Sequence, residues 1–343
     1  MADNTRKLFP ILIIAIVLLA AVMAGYALIS MARLRGRPVP SQYQYPIEAV
    51  EIDPKMLLYE ACGQFATAAM SETRGIAVDA NAIVYVVGDR AIAWYGTSGD
   101  LLGKVDLPFE PLALALSEGL FYVTARDHVE VFDRSGQRLQ AWPSVDSDSV
   151  LTSIAIYQKE VFVADAGNRV IYRYDHQGQL LTSIGKKDPD RGVEGLVVPS
   201  PHLDMLVDED GLLMVANPGR HRIEAYTFDG QIRRAWGRFG MDLEGFSGCC
   251  NPISIAQLPD GDILTCEKGI IRVKVFDRQG RFLGAVAGPC QLGKAGCTIC
   301  QTTTECQTGA FDIAADTEGK VYVLDTIDGL VRIFKRKEGT VRP

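Results

Sequence analysis

Eight cysteines carry the most distinctive chemistry in this sequence, and they are unevenly placed. After Cys62 none occurs until Cys249, Cys250 and Cys266, and then Cys290, Cys297, Cys300 and Cys306 follow within one short segment. The last four read C-x6-C-x2-C-x5-C. A C-x2-C pair with two more thiolates in one loop has the donor set of a [4Fe-4S] cluster, although the spacing is not a standard ferredoxin run. Cys249, Cys250, Cys266 and Cys62 would suffice for a second set, or would serve as disulfide partners. Four thiolates suit zinc as well. An even number of cysteines equally suits disulfides, of which eight thiols admit 105 pairings. A bond between the adjacent Cys249 and Cys250 would close a strained ring, so these two are expected to have different partners.

Other residue types give weaker patterns. The four histidines form no motif: His128 and His176 fall in turns, and His202 and His221 offer two candidate metal ligands without a third. Asp165, Asn217, Glu267 and Asp325 recur nine places before an aromatic residue, as a ring of polar groups or as caps on the turns that follow. Capping is the expected role. No G-x-S-x-G, phosphate loop, dinucleotide fingerprint or HExxH is present. The net charge of −7 and isoelectric point near 5.3 lack the clustered positive face that phosphate neutralisation needs, so nucleic acid is excluded as a partner.

The elements that must position the cysteines announce themselves as a repeat. An aromatic residue stands four places before a glycine in Tyr95/Gly99, Phe132/Gly136, Tyr174/Gly178, Tyr226/Gly230 and Phe276/Gly280, and Phe334/Gly339 repeats the pattern with one residue added. These six units have the length of four-stranded blades. Within them, runs such as VEVFD and RVKVF alternate with period two and end in Gly-containing turns, the pattern of half-buried antiparallel strands. AGNRVIYRYDHQGQL, GRHRIEAYTFDGQIRRAWGRFG and the segment from Gly245 to Phe282 resemble NHL repeats, and SGCCNP followed by EKG, VKVF and AGP resembles a membrane-anchored bacterial subgroup of them.

That resemblance implies an all-β, six-bladed NHL-type β-propeller. The propeller would occupy residues 46–343, closed by an N-terminal strand at 46–52 and carrying a Cys-rich insertion at 290–306. In such propellers the links between blades share a rim with the turns between second and third strands. Cys249, Cys250, Cys266 and the 290–306 segment would therefore meet on one rim, and Cys62, in the link following the closing strand, would lie next to them.

Ahead of a 33–45 linker and behind a short tail at 1–7, residues 8–32 carry no charge. As a helix they would span about 37 Å, against a hydrocarbon core of about 30 Å, which makes them a transmembrane anchor rather than a cleaved signal peptide. Positive charges flank both ends almost equally, so charge does not set the orientation. The expectation is a single-span protein of the bacterial inner membrane with its propeller on the periplasmic side. It would act as a docking or electron-transfer subunit of a membrane complex, with protein subunits as partners, no small-molecule substrate and no catalysis of its own. Two alternatives are a metal-dependent propeller hydrolase or lyase, lactonase-like, and a purely structural protein-binding scaffold.

Overall fold

The computed structural model describes residues 51–293 and 311–339, together with Leu19, Met23 and Gly25. Those three are helical, and among the described residues no helix is long and apolar enough to cross a membrane. The expected anchor otherwise lies outside the described residues.

The described chain forms 24 strands, numbered β1–β24 in order, arranged as six four-stranded antiparallel sheets. Their innermost strands are β2 (Gly75–Val78), β6 (Ala113–Ser117), β10 (Leu151–Tyr157), β14 (Met205–Val207), β18 (Ser254–Gln257) and β22 (Phe311–Ala315). Each packs against its neighbours around a central channel, and the apolar clusters lie between adjacent blades. Leu264, Val273 and Val275 of blade 5, for example, pack against Phe311, Ile313 and Val321 of blade 6.

The aromatic-glycine repeat has a physical cause. Gly99, Gly136, Gly178 and Gly280 all have φ between 83° and 90°, the left-handed region that glycine enters without steric cost. A Cβ on any of these four would also come within 2.7 Å of a side chain from the preceding blade: Phe65, Val105, Trp142 or Trp236. The glycine thus makes the turn and lets that turn tuck beneath the neighbouring sheet.

Ring closure differs in detail from the sequence reading. The fourth strand of the last blade is β1 (Tyr59–Ala66), not the 46–52 segment. It pairs antiparallel with β24 (Leu330–Arg336) from Tyr59↔Arg336 to Ala66↔Leu330. Residues 51 and 52 lie in no strand, and 46–50 fall outside the described residues. The segment just after them instead latches onto β21 (Phe282–Ala287), the outer strand of blade 5. Leu58 N donates to Ala285 O, Ala285 N donates to Met56 O, and Ile52 and Leu57 pack on Ala285. Joining the two ends of the ring in one sheet covers the edges that would otherwise pair with other chains.

Candidate functional site

The adjacent cysteines sit on a loop, residues 237–253, between β17 (Ile232–Trp236) and β18, and the loop is built from beneath. At the end of β19 (Ile263–Cys266), Glu267 accepts hydrogen bonds through Oε2 from both the backbone N and the Oγ of Ser247, each at 2.8 Å. Its other oxygen lies 2.6 Å from Lys274 Nζ on β20 (Val273–Phe276), and both side chains are fully buried. Lys274 also donates to Gly245 O at 2.8 Å and stands 4.1 Å from the centroid of the Phe246 ring, a cation–π placement. Burial pulls the Lys274 pKa down, opposed by the Glu267 carboxylate. The Asn251 side chain ties the two limbs together: Nδ2 donates to Ser247 O and Lys268 O, while Oδ1 accepts from Lys268 N. His221 Nε2 donates to Gly248 O at 2.8 Å.

This frame holds Cys249 exposed and Cys250 nearly covered, with their sulfurs 3.4 Å apart as two free thiols. Burial, and then the Cys250 thiol beside it, push the Cys249 pKa up. Upstream on the same loop, Phe239 is 59% exposed and Met241 43% exposed. Both are held in place. The Phe239 ring meets the His221 ring edge-on at 5.2 Å, Arg238 pairs with Asp242 at 2.9 Å, and Arg272 donates to the carbonyls of Met241 and Asp242.

The remaining cysteines are placed as follows. Cys266 is fully buried in the core between blades 5 and 6. By strand pairing it holds the repeat position taken elsewhere by Val87, Thr124, Ala164 and Leu324, which marks it as a packing residue. Cys290 is exposed, just past the end of β21 and on the rim that carries Cys249. Cys297, Cys300 and Cys306 lie outside the described residues. Cys62 is displaced from its expected position because the closing strand is β1. It lies within that strand at a bulge, its thiol directed at Ile333 O, with Lys320 and Asp316 at the opposite rim among its neighbours. The set Cys249, Cys250, Cys266 and Cys62 is therefore not gathered at one point. Among the described residues no three His, Cys, Asp or Glu side chains converge as metal ligands.

Thiol accessibility gives a direct check. Under native conditions at pH 8, Cys249 is expected to be alkylated well before Cys266, whose fully buried thiol has its pKa raised by burial. Peptide mapping by mass spectrometry reads the order, and Cys266 modified at the rate of Cys249 would contradict it.

The polar residues at the ends of the second strands brace loops. Asp165 accepts from Ser149 Oγ, Val150 N and Asn168 N. Asn217 accepts from Val197 N, and Asp325 accepts from Ile327 N and Asp328 N. They form no ligand ring.

The channel holds polar groups that sequence reasoning missed. One equivalent position per blade, in the inner strand or, for Asp204, just before it, runs Gly75, Ala113, Ser153, Asp204, Ser254, Asp312. The strand partner of five of these is given by register, and that of Asp204 by its carbonyl accepting from Ala216 N. Asp312 accepts from Ser254 Oγ of the preceding blade at 2.7 Å and from Ile76 N of the following blade at 2.9 Å. Asp204 repeats this arrangement with Ser153 behind and Ile255 N ahead, and Ser254 lies against it too. A belt of carboxyl and hydroxyl groups thus stitches blades 3 to 6 and on to blade 1. Ser254 has one proton to give and two carboxyls beside it, so the belt is fully bonded when one carboxyl is protonated. Burial, and then the Asp204 charge, raise Asp312 to about 7, and burial raises Asp204 as well.

No family model matches the chain, and no curated protein matches it. Solved structures do. A streptogramin B lyase is similar at 13% identity with a TM-score of 0.57, covering 81% of this chain and 98% of the lyase. A catalytically inactive virginiamycin B lyase from Staphylococcus aureus, with quinupristin, is similar at 11% identity and 0.56, covering 81% and 100%. The WD40 propeller domain of Doa1 is similar at 16% identity and 0.52, covering 78% and 79%. At such identities the likeness is one of fold. Together with the sheet order, these neighbours establish the chain as a six-bladed β-propeller.

Proposed function

We propose that this chain is a membrane-tethered, periplasmic NHL-type propeller that serves as a docking subunit, and that the 237–253 loop is its contact surface for another protein of the same membrane. The observation that carries this reading is the exposure of Phe239 and Met241 on a loop whose base is fixed by the buried Glu267–Lys274 pair. Aromatic residues and methionine are enriched where proteins meet. A side chain already held in its bound position loses little entropy on docking. The uncharged 8–32 segment supports the tether, since it would keep the rim beside integral partners. An electron-transfer role would add a [4Fe-4S] cluster on Cys290, Cys297, Cys300 and Cys306, of which Cys290 stands on the same rim as the loop. The hydrolase or lyase alternative has less support, because Asp204 and Asp312 spend their oxygens on the backbone of neighbouring blades.

The test is the mass of the full chain extracted in mild detergent, measured by native electrophoresis and light scattering. The wild type is expected to run in a complex with a second, different chain, and the double variant F239D/M241D to run as a single chain. Both substitutions are on the surface, so the melting temperature should barely change. A wild type already running as one chain, as a pair of identical chains, or unaffected by the double substitution would overturn the reading.

A further inference from the structure

The belt described above is polar in blades 3 to 6 and stops at Gly75 and Ala113, the two smallest residues of the six. The space these residues leave is part of a chamber of about 460 Å³ at the end of the channel that shares the Cys249 rim. That volume is within the usual range for small-molecule sites, about 300–1,000 Å³. Two arginines are among its lining residues, Arg74 just before β2 and Arg126 in the turn of blade 2. Arg74 is partly engaged by Glu72 at 3.2 Å. Arg126 is exposed and makes no ion pair among the described residues. Thr152 and Thr326 line it as well, the Thr152 hydroxyl donating to Leu203 O at 2.7 Å.

From this arrangement we infer that the chamber binds a small organic anion, its carboxylate held by Arg126 and Arg74 at the mouth and its body resting on the small residues of blades 1 and 2. Guanidinium forks match the geometry of carboxylate and phosphate alike, so an oxyanion is the shared chemistry. The belt sets the depth: Asp204 and Asp312 close the chamber with carboxyl groups, which favours an anion carrying its charge at the outer end. The site is independent of the docking loop and runs against the sequence expectation that no small molecule binds.

The experiment is thermal unfolding and calorimetric titration of the full chain in detergent, with butyrate, charged at one end only, and inorganic phosphate as separate probes and sodium chloride matching ionic strength. Butyrate is expected to raise the melting temperature where chloride does not. Arg126→Ala should weaken its binding by about tenfold or more, the usual size of one charge-assisted hydrogen bond. Arg126→Lys, which keeps the charge, should recover part of the loss. Because residue 126 is exposed, the alanine variant should fold, and its unliganded melting temperature checks this. No response to either probe, or a response unchanged in Arg126→Ala, would overturn the proposal. A response to phosphate alone would replace the organic acid by inorganic phosphate.

Discussion

Glu267→Ala is expected to lower the unfolding free energy of the propeller by about 3–5 kcal/mol, the usual cost of leaving a buried charge without its partner. Lys274 would then be an ammonium group with no accessible surface, its remaining contacts being Gly245 O and the Phe246 and Phe276 rings. Ser247 would lose the acceptor for both its donors, so the damage should centre on the loop bearing Cys249 and Cys250. The loss should be larger at pH 6 than at pH 9. A lysine whose folded pKa lies below its unfolded value contributes instability as pH falls, because the unfolded chain takes up the proton more readily. The double variant Glu267→Gln/Lys274→Met should recover most of the loss, since it removes the charge while Gln still accepts from Ser247. Denaturant unfolding, followed by the fluorescence of Trp94, Trp142 and Trp236, measures all three proteins. A single variant costing under about 1 kcal/mol would show that the pair is not what holds the loop.

Asp312→Asn should act in the opposite direction and in a defined pH window. A carboxyl whose folded pKa is raised takes up a proton on folding. Its contribution to stability is therefore complete below the unfolded value, near 4, and is lost as pH rises towards the folded value of about 7. At about 1.4 kcal/mol per pH unit, the upper limit of that loss is about 4 kcal/mol. Asparagine removes the charge and keeps most of the belt: Oδ1 accepts from Ile76 N and Nδ2 donates to Ser254 Oγ, freeing that hydroxyl to donate to Asp204, while the bond from Ile313 N to the replaced oxygen is lost. The stability of the variant relative to the wild type should therefore rise by a few kcal/mol between pH 4 and pH 8, from at or below the wild type at the acid end to above it at pH 8. The same fluorescence measurement repeated from pH 4 to 8 reads the slope, and a wild type as steep as its variant would rule out a shared proton in the belt.

Much of the fold was legible because its signal is local. The turn glycines need a left-handed backbone and a close approach to the preceding blade, so the repeat had to be visible in the sequence. The closing strand was misplaced for a physical reason too. PIEAVEI carries three β-branched residues and no glycine, whereas YEACGQFA contains a glycine and a bulge at Cys62 that resets its register. That slip also misplaced Cys62. The rim loop was visible as SGCCNP, and Glu267 as a capping residue, but Lys274 in VKVF reads as a solvent-facing lysine. Only the tertiary structure puts Phe246 over it. Asp204 and Asp312 escaped notice because their equivalents are glycine, alanine and serine, so no residue type recurs to mark the position. The available clue was an aspartate at or just before the start of each of two strands, where it is disfavoured unless its side chain has donors to meet.

Contact of the 237–253 loop with a second protein is what separates a docking subunit from a solitary propeller. A photo-crosslinking amino acid placed at position 239 of the full chain, irradiated in native membranes, should give one discrete adduct with a different protein, lost when Met241 is changed to Asp. An absence of adduct, or one that persists in that variant, would contradict it.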